Sequence, residues 1–131
     1  MSASTHRFLT ISISRYTECR VFAINYRLAP ETRFPGQLHD AVSAYMRLTV
    51  DMGIPPEHIV IAGDSAGGGL ALATLMYLRD NQYPLPSGAI LQSPWVDLTM
   101  SCEVRRTALP EIDAVADLRT RAIHRAGQRT R

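Results

Sequence analysis

The sequence predicts an α/β fold, with a parallel sheet whose strands alternate with helices. Two observations predict it. Arg20–Tyr26, Ile59–Ala62 and Gly88–Ser93 are short apolar runs bounded by Pro, Gly or polar residues, the pattern of buried strands. Between them lie longer stretches with apolar residues at helical spacing. Apolar strands joined by helices point to a parallel sheet covered on both faces.

The elements follow in order. Phe8, Leu9, Ile11 and Tyr16 suit a helix lying on a core, although Ile11-Ser12-Ile13-Ser14 alternates like a strand. Met1–Thr17 is rich in Ser, Thr and Arg and free of acids, a composition that also mimics a mitochondrial transit peptide; the helix is the favoured reading. The first strand is Arg20–Tyr26, and a loop with Pro30 follows. Pro35 opens a helix to about Met52, with Leu38, Val42, Tyr45, Met46 and Thr49 on its apolar face. Gly53 stops it and Pro55-Pro56 block its continuation. The second strand is Ile59–Ala62. A helix from Ala66 to about Asp80 comes next, its Ala and Gly residues allowing close approach to a sheet. Asn81–Ser87 connects it to the third strand, Gly88–Ser93, which Pro94 ends.

Composition sets the outer limits. With 131 residues the chain holds at most one modest domain, and 46% apolar residues suffice for a core. No run approaches the ~20 apolar residues of a membrane span. Neither a secretory signal nor a transmembrane segment is visible, so a cytoplasmic location is expected. Net charge is +2, unevenly placed. Residues 1–100 carry seven Arg against eight acids; residues 101–131 carry seven Arg against four, and Lys is absent throughout. The basic tail lacks interleaved aromatics, which argues against nucleic-acid binding. Cys19 and Cys102 have no ligand-like spacing and read as reduced thiols, Cys19 as a small core residue and Cys102 as exposed.

The most informative stretch is Gly63-Asp64-Ser65-Ala66-Gly67, followed by Gly68. A β-branched run, Gly-x-Ser-x-Gly and a helix former is the layout of a nucleophile elbow. The serine would occupy a sharp, strained turn. Side chains two positions to either side would collide with strand or helix, hence the glycines at 63 and 67. The Ser65 hydroxyl would project from the sheet edge, and the Ala66 N–H would serve a developing oxyanion at the helix start. The plainer alternative is a Gly-rich turn without chemistry.

Further blocks stand around this elbow: Tyr26-Arg27-Leu28-Ala29-Pro30-Glu31, Phe34-Pro35, Asp40-Ala41 and Ser93-Pro94-Trp95-Val96-Asp97-Leu98. In this order, over about residues 5–101, they resemble the hormone-sensitive-lipase-like esterases of the α/β-hydrolase fold. The resemblance implies a carboxylic-ester hydrolase with a Ser-His-Asp triad. Ser65 matches the nucleophile and Ala66 an oxyanion donor. Gly63, Asp64, Gly67 and Gly68 match the supporting elbow, with Asp64 structural rather than the triad acid. Tyr26–Glu31 match a loop that supports the site. A small hydrophobic ester is the implied substrate, with no metal or organic cofactor; no partner chain is indicated.

The family's His-Gly-Gly-Gly loop, which supplies the other oxyanion donors, does not occur in these 131 residues, nor does the strand leading to it. The family's cap, triad acid and triad histidine also have no match. The expectation is therefore a partial α/β-hydrolase fold over 1–103, lacking N-terminal strands, cap and C-terminal strands, followed by an unmatched Arg/Ala-rich tail over 104–131. Two readings stand for that tail. One is an exposed helix starting near Pro110 and Glu111, stopping at Gly127, with Ile112, Val115, Ala116 and Ile123 on its apolar face. The other is an out-of-frame translation or retained intron, which the abrupt change of composition favours.

The four histidines are His6, His39, His58 and His124. His58 precedes the elbow strand, on the order of 15 Å from Ser65, too far for direct proton transfer. His39 reads as a helix-surface residue, and His124 lies in the tail. Asp97 reads as a turn or helix cap, and Asp40 and Asp64 as acceptors of backbone hydrogen bonds. Without a base, serine is a poor nucleophile at neutral pH. Loss of triad members leaves roughly 10³–10⁴-fold acceleration over water, and a missing oxyanion donor removes about 2.7–4 kcal/mol more. Little or no turnover is expected from this chain alone. The alternatives are a non-catalytic small-molecule-binding module and a truncated product without function of its own.

Overall fold

A computed structural model describes residues 6–97. The chain divides into two units after Pro94, and the elements below all belong to the first. The boundary expected at 103/104, the tail helix, Cys102 and His124 lie outside the described residues.

Helix α1 spans Arg7–Thr17. Three of its hydroxyls turn back onto its own carbonyls: Thr10 Oγ1 donates to Arg7 O (3.0 Å), Ser12 Oγ to Phe8 O (3.0 Å) and Thr17 Oγ1 to Ile13 O (2.8 Å). The predicted helix is present, but none of its residues is buried, and Phe8 and Tyr16 are almost fully exposed. Among the described residues it does not lie on a core. Glu18 ends it in the left-handed region.

The predicted strand at Arg20–Tyr26 is not formed; residues 18–28 carry no regular structure. A strand exists through its ladder, and the sheet of the described residues has only two members, neither of them this segment. Val21 and Phe22 are consequently exposed, and so is Cys19, whose Sγ donates to Thr17 O at 3.3 Å. The expectation of a buried Cys19 fails with the strand that was to bury it.

Helix α2, Gly36–Met46, continues as a π-helical turn over Arg47–Asp51, so the helical run ends where Gly53 predicted, at φ +65°. Met52 N–H bonds back to Arg47 O (3.1 Å) and Ile54 N–H to Leu48 O (3.0 Å). A 3₁₀ turn, Pro56–His58, leads into strand β1, Val60–Asp64. Helix α3, Ala66–Asp80, follows after one residue, and strand β2, Gly88–Gln92, comes last.

Strands β1 and β2 pair in parallel, from Val60 opposite Gly88 to Asp64 opposite Gln92. The pairing continues past both ends: Ser87 N–H donates to Ile59 O (2.9 Å) and Ser65 N–H to Gln92 O (2.9 Å). Helix α3 packs on both strands, and α2 packs on α3. The core is the α2–α3 seam, with Leu38 and Tyr45 from one helix and Ala71, Thr74 and Leu78 from the other. Each large apolar side chain buried there contributes about 1.5–3 kcal/mol. The Tyr45 hydroxyl donates to Pro84 O at 2.8 Å, tying α2 to the α3–β2 connection.

The sheet was expected to be covered on both faces. Within the described residues, Val60, Ala62 and Ile90 share a face by register and are all exposed, whereas Ile61, Gly63 and Leu91 on the other face are half-buried. The covered face is the one that meets α3, as the contact between Gly63 and the helix's first turn shows below.

Candidate active site

The chain passes from β1 to α3 through one residue, Ser65, with φ +53° and ψ −116°. These are the dihedrals of the first central residue of a type II′ turn, a place usually taken by glycine. For a residue with a Cβ they cost on the order of 1–3 kcal/mol. The conformation persists because the surroundings fix it. The ladder holds Ser65 N–H on Gln92 O, and Ser65 O already accepts Gly69 N–H (3.1 Å) as the first bond of α3.

A serine before a helix is ordinarily an N-cap, in extended backbone, with its hydroxyl on an amide of the first turn. Ser65 is not used that way. Its backbone is outside the extended region and its side chain makes no capping bond. Its hydroxyl makes no hydrogen bond among the described residues, and the residue is half-buried. The first amides of α3 are left without intrahelical acceptors, as at any helix start, and they carry the positive end of a 15-residue dipole. Ala66-Gly67-Gly68 place no bulk and no acidic side chain over them.

The glycines divide differently from the expectation. A Cβ at Gly63 would meet the Gly67 carbonyl carbon and oxygen and stand 2.8 Å from Gly68 N, so that position is closed to any side chain. At Gly67 an added Cβ meets nothing within 4 Å. The tight position on the helix is Gly68, where a Cβ would lie 2.9 Å from Pro94 Cβ, 3.0 Å from Pro94 Cα and 3.1 Å from Gly63 O. Gly67 sits on the outward side of the helical turn, whereas Gly68 is buried against the sheet. The helical period, read from Ser65, would have separated the two.

Asp64 was expected to accept backbone hydrogen bonds, yet its carboxylate has no partner among the described residues. Strand alternation puts it on the open face with Val60 and Ala62. Asp40, by contrast, accepts Arg27 N–H at 2.9 Å and is also gripped by the Arg27 guanidinium, at 2.7 Å from Nη2 and 3.0–3.1 Å from Nε. Arg27 Nη2 reaches Gly36 O as well (3.4 Å), which fastens the loop after residue 26 to the start of α2. Hydrogen bonds from the Arg27 side chain and then from its backbone hold the Asp40 carboxyl down at about 2. Sequence reading found both residues but not their pairing. The signal was opposite charges on either side of a Pro-containing loop.

No histidine meets Ser65 among the described residues. His58 lies in the 3₁₀ turn before β1, at the opposite end of that strand; His39 is exposed on α2, and His6 immediately precedes α1. Asp97 offers its backbone carbonyl to the Trp95 indole N–H (3.1 Å). The described residues contain no group of three or more His, Cys, Asp or Glu able to hold a metal ion, and no helix long and apolar enough to cross a membrane.

With this geometry in place, likeness to known proteins is informative. A family described as alpha/beta hydrolase fold matches residues 1–127, which carries the match past Glu103, where the motif resemblance fades. The chain is 42% identical over 125 residues to an acetyl-hydrolase of Streptomyces hygroscopicus, covering 92% of this chain and 41% of that protein. It is 40% identical over 105 residues to an esterase of Acinetobacter venetianus, covering 80% of this chain and 34% of that one. Among solved structures, EstE5 soaked with p-nitrophenyl butyrate superposes with a TM-score of 0.77 at 45% identity, over 82% of this chain and 36% of that one. A hormone-sensitive lipase from a metagenome library gives 0.74 at 41% identity, over 78% and 34%. The chain thus spans about 34–41% of the length of these relatives. It belongs to the α/β-hydrolase fold family, among the hormone-sensitive-lipase-like esterases.

Proposed function

We propose that this chain carries the nucleophile segment of a carboxylic ester hydrolase, with Ser65 as nucleophile and the Ala66 N–H as one oxyanion donor. The observation that carries this reading is a serine at +53°, −116° between strand and helix, its hydroxyl spared from capping. In the reaction, Ser65 Oγ attacks the ester carbonyl carbon and its proton passes to a base. The carbonyl oxygen becomes an oxyanion near the start of α3, and the alcohol leaves with a proton. Water then releases the acid from the acyl-serine by the same steps. Esterase and acetyl-hydrolase relatives support the substrate class.

A second reading has its own observation. The Ser65 hydroxyl has no imidazole partner among the described residues, and the sequence holds no His-Gly-Gly-Gly. On that ground the polypeptide as it stands turns over esters slowly or not at all. Purified chain and Ser65→Ala, assayed on p-nitrophenyl butyrate, separate the two. Hydrolysis that disappears in the variant supports an active esterase. Equal, background-level release from both supports an inactive chain, and equal release above background rejects Ser65 as nucleophile.

A further inference from the structure

Ser65 is not the only non-glycine residue with a left-handed backbone at this rim of the sheet. Ser93, immediately after β2, has φ +41°. It stands one residue beyond Gln92, whose carbonyl accepts Ser65 N–H, and one before Pro94, which lies against Gly68. A residue preceding proline is already restricted, and positive φ is costly for any side chain. Two adjacent parallel strands therefore end in two strained serines. The segment from Ser65 into the first turn of α3 is tied twice to the end of β2, by the hydrogen bond from Ser65 N–H to Gln92 O and by the close packing of Gly68 on Pro94.

We propose that Ser93 and Pro94 are positioning residues for Ser65. The left-handed bend at Ser93 brings Pro94 under Gly68, where it backs the first turn of α3. The tie from Ser65 N–H to Gln92 O holds the residue before that turn. Together they fix the backbone of Ser65 and Ala66 from the β2 side, as Gly63 fixes it from the β1 side. The only atoms that fit between Pro94 and the helix are those of a glycine, so a shift of Pro94 is transmitted directly to the elbow. Neither residue touches the reacting atoms. The role in catalysis rests on the reading of Ser65 as nucleophile; the mechanical coupling does not.

Two readouts on the full chain test this and keep the two claims apart. The first is hydrogen exchange of the Ser65 amide, compared with amides in the middle of α3. The second is phosphonylation of Ser65 by a fluorophosphonate, in which an Oγ–P bond forms, the P–F bond breaks, fluoride leaves and the proton goes to buffer. A β-branched residue resists positive φ and glycine accepts it. Ser93→Val should speed Ser65 amide exchange at least tenfold while mid-helix amides keep their protection, and should slow phosphonylation by about tenfold or more. Ser93→Gly should keep the Ser65 amide as protected as in the parent. If Ser93→Val does not fold, Pro94→Gly reads the same contact and should show the same selective loss at Ser65. Unchanged Ser65 exchange in both variants, or acceleration equal along all of α3, overturns the proposal. Selective exchange in a chain that the fluorophosphonate never labels supports the coupling and shows that Ser65 is not activated in this chain.

Discussion

Arg27 and Asp40 lock the loop that precedes α2 by an N–H bond from the backbone and a forked contact from the guanidinium, the shortest at 2.7 Å. The pair joins two segments 13 residues apart that share no ladder. Its effect on pH dependence has a definite sign. The folded carboxyl sits at about 2, below its ordinary value of 3.8. A depressed carboxyl stabilises the fold above the unfolded value, and that contribution disappears as pH falls through the folded one. The parent should therefore lose Tm between about pH 4 and pH 2 more steeply than Asp40→Asn, with the variant the less stable at pH 7 and the difference closing near pH 2. Both partners are solvent-accessible, so the difference should also shrink in molar salt. Parallel melting curves for the two proteins across that range would remove the clamp from the account.

The two glycines that flank Ser65 should respond in opposite directions. Gly63→Ala drives a Cβ into the Gly67 carbonyl. Strand or helix must move, at a cost of about 1–3 kcal/mol for an overpacked site. Gly67→Ala meets nothing within 4 Å and replaces glycine by the best helix former inside α3. It should stabilise by about 0.5–1 kcal/mol. Urea denaturation of both variants checks this, and equal destabilisation would show that the motif glycines act as one unit.

Why sequence reading separated some features and blurred others follows from what each depends on. Helix α3 was legible to its last residue because a run of Ala, Gly and Leu is bounded by the Ser65 turn and by Asn81. β1 and β2 were legible because their apolar runs pair with each other inside the described chain. Arg20–Tyr26 has the same apolar character and forms no strand, because composition specifies a tendency and the ladder needs a neighbour. The sharp turn from β1 into α3 was legible from Gly63 and Ser65, while the close packing of Gly68 depends on Pro94, 26 positions away, which no local pattern reveals. The pairing of Arg27 with Asp40 is of the same kind.

Tyr45 offers a test of the α2–α3 seam. Its hydroxyl donates to Pro84 O at 2.8 Å while the ring is buried. Burial raises its pKa above the usual 10. Since the fold favours the neutral phenol, its contribution is complete below pH 10 and declines as pH rises through the folded value. Tyr45→Phe should cost about 1 kcal/mol at pH 7, because water can reach the exposed Pro84 carbonyl. Leu78→Ala, at a fully buried position of the same seam, should cost about 2–5 kcal/mol. Urea midpoints rank the two. A larger loss for Tyr45→Phe would place the hydrogen bond to the α3–β2 connection above apolar packing as the main tie that holds α2.

Replacement of the elbow serine itself separates strain from chemistry. Ser65→Ala removes the hydroxyl but keeps a Cβ at φ +53°, so stability should stay within about 0.5 kcal/mol of the parent. Ser65→Gly removes the Cβ as well. The release of about 1–3 kcal/mol of backbone strain is partly offset by the greater unfolded-state freedom of glycine, about 0.5–1 kcal/mol. A net gain of about 1 kcal/mol is expected. Both variants should lose fluorophosphonate labelling, so the glycine variant is more stable and chemically silent. This is the signature of a position where a side chain is retained for its reactivity at the expense of the fold. If Ser65→Gly melts below the parent, the turn is not strained, and the serine has no energetic mark that distinguishes it from an ordinary helix cap.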